Sequence, residues 1–173
     1  MGTGRVIAAL TASLVATATA AIAAPAGIDQ FDGQLLAEQN AERERVGVPR
    51  LEWSGKLAAD AQEWADQLAR EGDLRHAPRA ANPDEGENLW MGGKGYYGAE
   101  AMIDTFLAEK TAYRPGTFPQ ISATGHWEDV GHYSQIVWRN TRQVGCAVAR
   151  GQDMDFLVCR YLPAGNWKGE VAF

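Results

Sequence analysis

Residues 131–167 read GHYSQIVWRNTRQVGCAVARGQDMDFLVCRYLPAGNW, and the alternation inside this stretch decides what kind of sheet the chain can build. Gln143–Arg150 and Asp155–Leu162 alternate and are rich in Val, Phe, Leu and Tyr, with Gly151, Gln152 and Asp153 between them. Successive side chains of a strand point to opposite faces, so this pattern reads as a β-hairpin. If Arg150 pairs with Asp155, Val148 faces Leu157 and Cys146 faces Cys159. Directly opposed residues at a non-hydrogen-bonded position of an antiparallel pair lie close enough for a disulfide. Closing a loop of this size would contribute about 3 kcal/mol in the chain-entropy treatment. The alternative is a pair of buried free thiols. The chain has two cysteines and no CxxC pair, a spacing that does not suggest a zinc site at these positions.

Upstream of the hairpin the period changes from two to that of helices. Phe31–Val46 is rich in Gln and Glu, turns Leu35 and Leu36 inward with Asn40 and Arg43 following, and is stopped by Gly47 and Pro49. Leu57, Ala61, Trp64, Ala65 and Leu68 recur along one stripe while Lys56, Asp60, Glu63 and Asp66 face water, and Gly72 ends this second helix. A loop holding Pro78, Pro83 and several glycines runs on to Gly98. A third helix is expected over Tyr97–Lys110, with Met102, Ile103, Phe106 and Leu107 as its apolar face. Glu109 lies three residues after Phe106 and seven after Met102, which puts a carboxylate on or beside that face. Either it sits at the edge and reaches solvent, or it needs a hydrogen bond, a cation or a metal.

The beginning of the chain bears on where it works. Arg5 precedes a run of Ala, Val, Ile, Leu and small hydroxyl residues from Val6 to Ala24, ending in Ala21-Ile22-Ala23. This is the pattern of a cleaved secretory signal, read here as residues 1–24. An uncleaved anchor is the alternative, but the Ala and Thr content makes the run weakly hydrophobic. About 150 residues remain, a length that suits one domain, taken as 30–173. That domain is expected to be a secreted, extracellular or periplasmic monomer with no transmembrane segment after cleavage. The net charge of −6 becomes −7 without Arg5, with no basic run. Nucleic acid is therefore excluded as a partner, because its phosphates demand clustered Lys and Arg. A membrane surface held by charge is excluded on the same ground.

Two dense blocks, Gly131-His132-Tyr133-Ser134-Gln135-Ile136-Val137-Trp138 and Phe156-Leu157-Val158-Cys159-Arg160-Tyr161-Leu162-Pro163-Ala164-Gly165-Asn166-Trp167, resemble the signatures of the CAP superfamily. That superfamily groups cysteine-rich secretory proteins, antigen 5 and pathogenesis-related type 1 proteins. The resemblance covers about Phe31 to Trp167 and implies an α+β fold, a three-layer α-β-α sandwich with a central antiparallel sheet. It also implies a surface cleft with two histidines and two glutamates. The matching residues are His76 after Asp73-Leu74-Arg75, Glu87 in Gly86-Glu87-Asn88-Leu89, Glu109 late in the third helix, and His132 in Gly131-His132-Tyr133. The chain departs from plant and animal relatives in having two cysteines and no cysteine-rich tail, and in carrying Gln39-Asn40 where a His-Asn pair is usual. Ion-channel modulation, which belongs to that tail, is not carried over.

Imidazole nitrogen is a good ligand for a divalent transition metal such as zinc, so His76 and His132 are the expected metal ligands. Glu87 and Glu109 would bind directly or orient the rings from behind. A metal-free network that merely organises the cleft is the alternative. The expected function is that of a secreted protein binding a divalent metal and a lipid, sterol or cell-envelope ligand. A metal-dependent peptidase or esterase in the same cleft is the competing class. The reading leans away from catalysis: there is no HExxH, and no Gly-x-Ser-x-Gly elbow supports Ser134 as nucleophile. The loop from Thr111 to Trp127 holds Tyr113, Phe118, Ile121 and Trp127, which either wall a ligand or pack down over the core. His126 and Glu128 lie there too, without a family motif. Trp138, Tyr161 and Trp167 read as core or interface residues, Gly165-Asn166 as a turn bonding local backbone, and Arg43 and Arg160 as partners of buried acids.

Overall fold

The computed structural model describes residue 1, residues 29–78 and residues 83–173, so the expected leader falls outside the description but for Met1. Helix α1 spans Gln30–Arg45; the Asp29 side chain accepts from the Asp32 backbone N–H at 2.8 Å as its N-cap. A two-residue strand β1, Glu52–Trp53, leads into α2, Gly55–Glu71, which Gly72 closes in the left-handed region at φ 69°. Strand β2 is Gly86–Gly93 and α3 is Ala99–Ala108, continued by a 3₁₀ turn over Glu109–Thr111. A second 3₁₀ turn, Trp127–Val130, runs into the short α4, Gly131–Ile136. Strands β3, Gln143–Arg150, and β4, Met154–Leu162, complete the chain's regular elements among the described residues.

The hairpin has the expected register, Arg150 opposite Asp155 and Cys146 opposite Cys159, and the two cysteines are bonded with Cα atoms 4.0 Å apart. Alternation along it sorts side chains into two cores. Phe156 and Val158 of β4 join Ala147, Ala149 and Leu89 against Ala61, Ala65 and Leu68 of α2. Leu157, Cys159 and Tyr161 point the other way, with Val144, Cys146 and Trp90, into the larger core under α1, α3 and α4. Helix, sheet and helices therefore form three layers, as period-two strands with two apolar faces require. Small residues let α2 lie close: a Cβ on Gly145 would sit 2.2 Å from the Ala58 nitrogen.

Several expectations need correction. The sheet order is β1-β3-β4-β2, and β1 runs parallel to β3, so the sheet is mixed and not wholly antiparallel. Two residues carry no alternation, and β1 is held by tertiary bonds, Glu52 N–H to the Arg142 carbonyl at 2.9 Å and Ser54 N–H to Val144 at 2.8 Å. Strand β2 occupies what reads as loop, because its three glycines hide the apolar pair Leu89 and Trp90. Among the described residues Arg43 meets no acid. Wholly buried, it donates to the carbonyls of Pro49, Ile136, Trp138 and Thr141 at 2.6–2.9 Å, and burial pulls its pKa down to about 10. Trp138 and Tyr161 are core residues, whereas Trp167 is 40% exposed.

Candidate functional site

The site is assembled from four separate segments. After Gly72 ends α2, the indole Nε1 of Trp64 donates to the Arg75 carbonyl at 3.1 Å and the Arg75 guanidinium lies over the Trp64 ring. That anchorage delivers His76 to the end of β2, where its Nδ1 is 2.6 Å from Glu87 Oε1 and the Ala77 N–H donates to the same oxygen at 3.1 Å. Glu87 pairs across the sheet with Arg160, whose guanidinium is 3.1 Å from Glu87 Oε2 and 3.7 Å from Glu85 Oε2. All three side chains are more than nine-tenths buried. Arg160 thus has the acid partners expected of it. Burial pushes the Glu85 carboxyl up, against the pull of Arg160.

Glu109 holds the second histidine by a different means. Its Oε2 accepts the backbone N–H groups of His132 and Tyr133, both at 3.0 Å, while Oε1 is 2.5 Å from His132 Nδ1. It reaches these donors because α3 tightens into a 3₁₀ turn at this residue, whereas the apolar period suggests unbroken α-helix to Lys110. Phe106 stacks on the His132 ring at 4.7 Å, and the Asn88 amide donates to the His132 carbonyl at 3.1 Å. Of the two readings of Glu109, the engaged carboxylate is the one found. An ionised carboxylate only accepts, so a neutral ring bonded to it in this way would carry its hydrogen on Nδ1 and offer the lone pair of Nε2.

His76, Glu87 and His132 line one cleft of about 700 Å³, with Glu109 behind His132 outside the lining. Glu85, Arg160, Asn88, Phe118, Trp127 and Glu128 also line it; His126 does not. Among the described residues no group of three or more His, Cys, Asp or Glu side chains is placed to hold a metal ion. Ser134 is buried and donates to Asn166 Oδ1 at 2.6 Å, a structural use of its hydroxyl. Asn166 bonds not its local backbone but α4, through the Gly131 carbonyl at 2.9 Å. The aromatic loop divides: Tyr113, Phe118 and Ile121 pack into the core, and Trp127 stays 37% exposed at the cleft.

Sequence reading missed Glu42, which is buried in α1 and accepts from the Tyr133 hydroxyl at 2.9 Å. Burial raises its pKa, but bonds from Arg45 and Tyr133 outweigh this and hold the carboxyl below the usual range. The signal was present: Leu35, Gln39, Glu42 and Arg43 follow one buried stripe on which polar residues replace apolar ones. This stripe supports α4, and with it His132, from beneath.

Comparison with known proteins gives consistent matches. A model of the cysteine-rich secretory protein family, CAP, matches residues 36–161. Pathogenesis-related leaf protein 4 of Solanum lycopersicum is 35% identical over 136 residues, covering 78% of this chain and 79% of that protein. The Golgi-associated plant pathogenesis-related protein 1 of Homo sapiens is 33% identical over 145 residues, 83% of this chain and 90% of its own. Among solved structures, the crystal structure of NaASP2 with Zn2+ superposes with a TM-score of 0.72 at 21% identity, covering 87% of this chain and 90% of that one. Among the described residues no helix is long and apolar enough to cross a membrane.

Proposed function

The chain belongs to the cysteine-rich secretory protein (CAP) family, and from that premise we propose that it is an exported binding protein whose cleft takes a divalent metal, zinc first among them, on His76 and His132. One observation carries the reading: both imidazoles that line the cleft have Nδ1 held by a carboxylate, at 2.6 and 2.5 Å. A carboxylate on the far nitrogen is how proteins orient a metal-binding histidine and raise its basicity. With Glu87 and Glu109 committed to this role, the protein supplies two ligands and water supplies the rest. The site is therefore open and of modest affinity, suited to exchange with a ligand. When bound, the ion would act as a Lewis acid toward an oxygen of that ligand.

Calorimetric titration of the purified protein with zinc, beside a His76→Ala/His132→Ala variant, tests the reading. Saturable heat in the native protein and none in the variant is expected; equal heats from both remove the metal. The wider ligand class is a lipid, sterol or cell-envelope component. Phe118 and Trp127 line the cleft together with Glu85, Glu87 and Arg160, so it offers such a ligand both apolar and polar surface. A metal-dependent hydrolase in this cleft would require Glu87 or Glu109 to leave its ring and act as base. Turnover in a peptide and ester screen, abolished by Glu87→Gln, would establish that alternative.

A further inference from the structure

The lining of the cleft carries features that an ion does not use. Trp127 is a large apolar ring, 37% exposed, on a loop whose other aromatics are buried. It does not hang free. Phe118 meets it edge to face at 5.0 Å, and its six-membered ring lies over Gly131, where an added Cβ would come within 3.1 Å of ring carbons. Two contacts thus fix the ring before any ligand arrives, one residue from His132. Polar groups share the cleft with it. Glu85, Glu87 and Arg160 line it as one ion-paired cluster, the Arg160 guanidinium 3.1 Å from Glu87 Oε2 and 3.7 Å from Glu85 Oε2. The cluster joins acceptors and donors at one place on the lining, which a ligand with both kinds of group can meet.

The partner must therefore present an apolar face to an aromatic ring and, on its edge, groups that both donate to carboxylates and accept from a guanidinium. Hydroxyl groups do both. Among the described residues the cleft's fixed charges are three carboxylates, Glu85, Glu87 and Glu128, against the guanidinium of Arg160, which disfavours anionic ligands such as fatty acids, phosphates and acidic glycans. A pyranose ring, with C–H groups on its face and hydroxyls around its rim, meets these requirements. We propose that the cleft binds a neutral saccharide chain, one ring stacked on Trp127 and its hydroxyls on Glu85, Glu87 and Arg160. This rests on the reading of the cleft as a binding site, but not on the metal.

The test uses the purified protein with three neutral tetrasaccharides as probes: β-1,4-linked N-acetylglucosamine, β-1,4-linked glucose and β-1,3-linked glucose. The indole N–H resonance of Trp127, assigned with Trp127→Phe, is followed by NMR with and without EDTA. At least one probe is expected to shift it with a dissociation constant on the order of 0.1–1 mM, whether or not EDTA is present. Trp127→Ala, whose binding is read by calorimetry because it lacks the indole, should weaken that affinity roughly tenfold or more, since stacking area is lost. Gly131→Ala, which displaces the ring by its new methyl group, should weaken it as well. If Trp127→Ala does not fold, Gly131→Ala and the native indole shift decide. The proposal is overturned if no probe moves the resonance, if Gly131→Ala and Trp127→Ala bind as the native protein does, or if only a fatty acid or a quaternary ammonium ion shifts it. Binding that survives EDTA while zinc gives no heat would separate a failed metal from a sound saccharide site.

Discussion

Replacing Glu109 by Gln changes little in shape and removes one charge, and it tests why the His132 ring is held as it is. Oε2 now receives two backbone N–H groups and Oε1 faces His132 Nδ1. A glutamine can keep the backbone donors on its single oxygen, but its amide N–H then faces Nδ1. Two donors cannot bond, so the ring must move its hydrogen to Nε2 or turn away. Charge-assisted bonds are roughly twice as strong as neutral ones, so weakening the two backbone bonds costs about 2 kcal/mol together. For a protein of this size that lowers the melting temperature by about 4–8 °C. Loss of the Nε2 lone pair should reduce zinc affinity about 10–100-fold, the range for removing a carboxylate behind a ligand. Scanning calorimetry reads the first effect, zinc titration the second, and long-range ¹H–¹⁵N NMR reports which ring nitrogen is protonated. A Glu109→Gln protein that keeps the Nδ1–H tautomer, the native melting temperature and native zinc affinity would refute the reasoning.

Three further outcomes test the scaffold. Cys146→Ala/Cys159→Ala should lose about 3 kcal/mol in urea unfolding, because the unfolded chain regains the closed loop's freedom. Gly145→Ala should cost about 3 kcal/mol or more, since its Cβ meets backbone atoms of Ser54, Leu57 and Ala58 at 2.2–2.7 Å, whereas Gly55→Ala meets nothing within 4 Å and should be close to neutral. Asp32 sits partly buried near Asp29, and burial, with the Asp29 charge second, raises its pKa from 3.8 to about 6. A raised acid favours folding fully below the unfolded pKa and loses that contribution as pH climbs through the folded one. Asp32→Asn should therefore stabilise the protein at pH 7, by about 1 kcal/mol after solvent screening, and give no gain below pH 3.8; a gain of equal size at both pH values rules this out.

The neighbourhood of each histidine was legible to different degrees. His132 stands in a dense local block and Glu87 in a four-residue motif, so both could be placed from adjacent residues. His76 and Glu109 have weaker local surroundings, and the structure brings each to its opposite number, His76 to Glu87 and Glu109 to His132. Arg160 could be assigned acid partners in general terms, but only the β2–β4 register selects Glu87 and Glu85. Glu42 escaped notice because a carboxylate on a helix rich in Gln and Glu reads as solvated unless the packing of α4 against it is known.

Short-range periodicity, then, determined the α2 stripe, the hairpin, its register and its disulfide, because each depends on residues close enough in the chain to constrain one another geometrically. The parallel edge strand β1, the strand β2 concealed by glycines, and the inward turn of Arg43 onto four carbonyls rest on partners far away in the chain, and no local pattern encodes them. Tertiary structure alone decided that Trp127 stays exposed while Phe118 is buried beside it, since which ring faces solvent depends on where α4 and the loop come to rest.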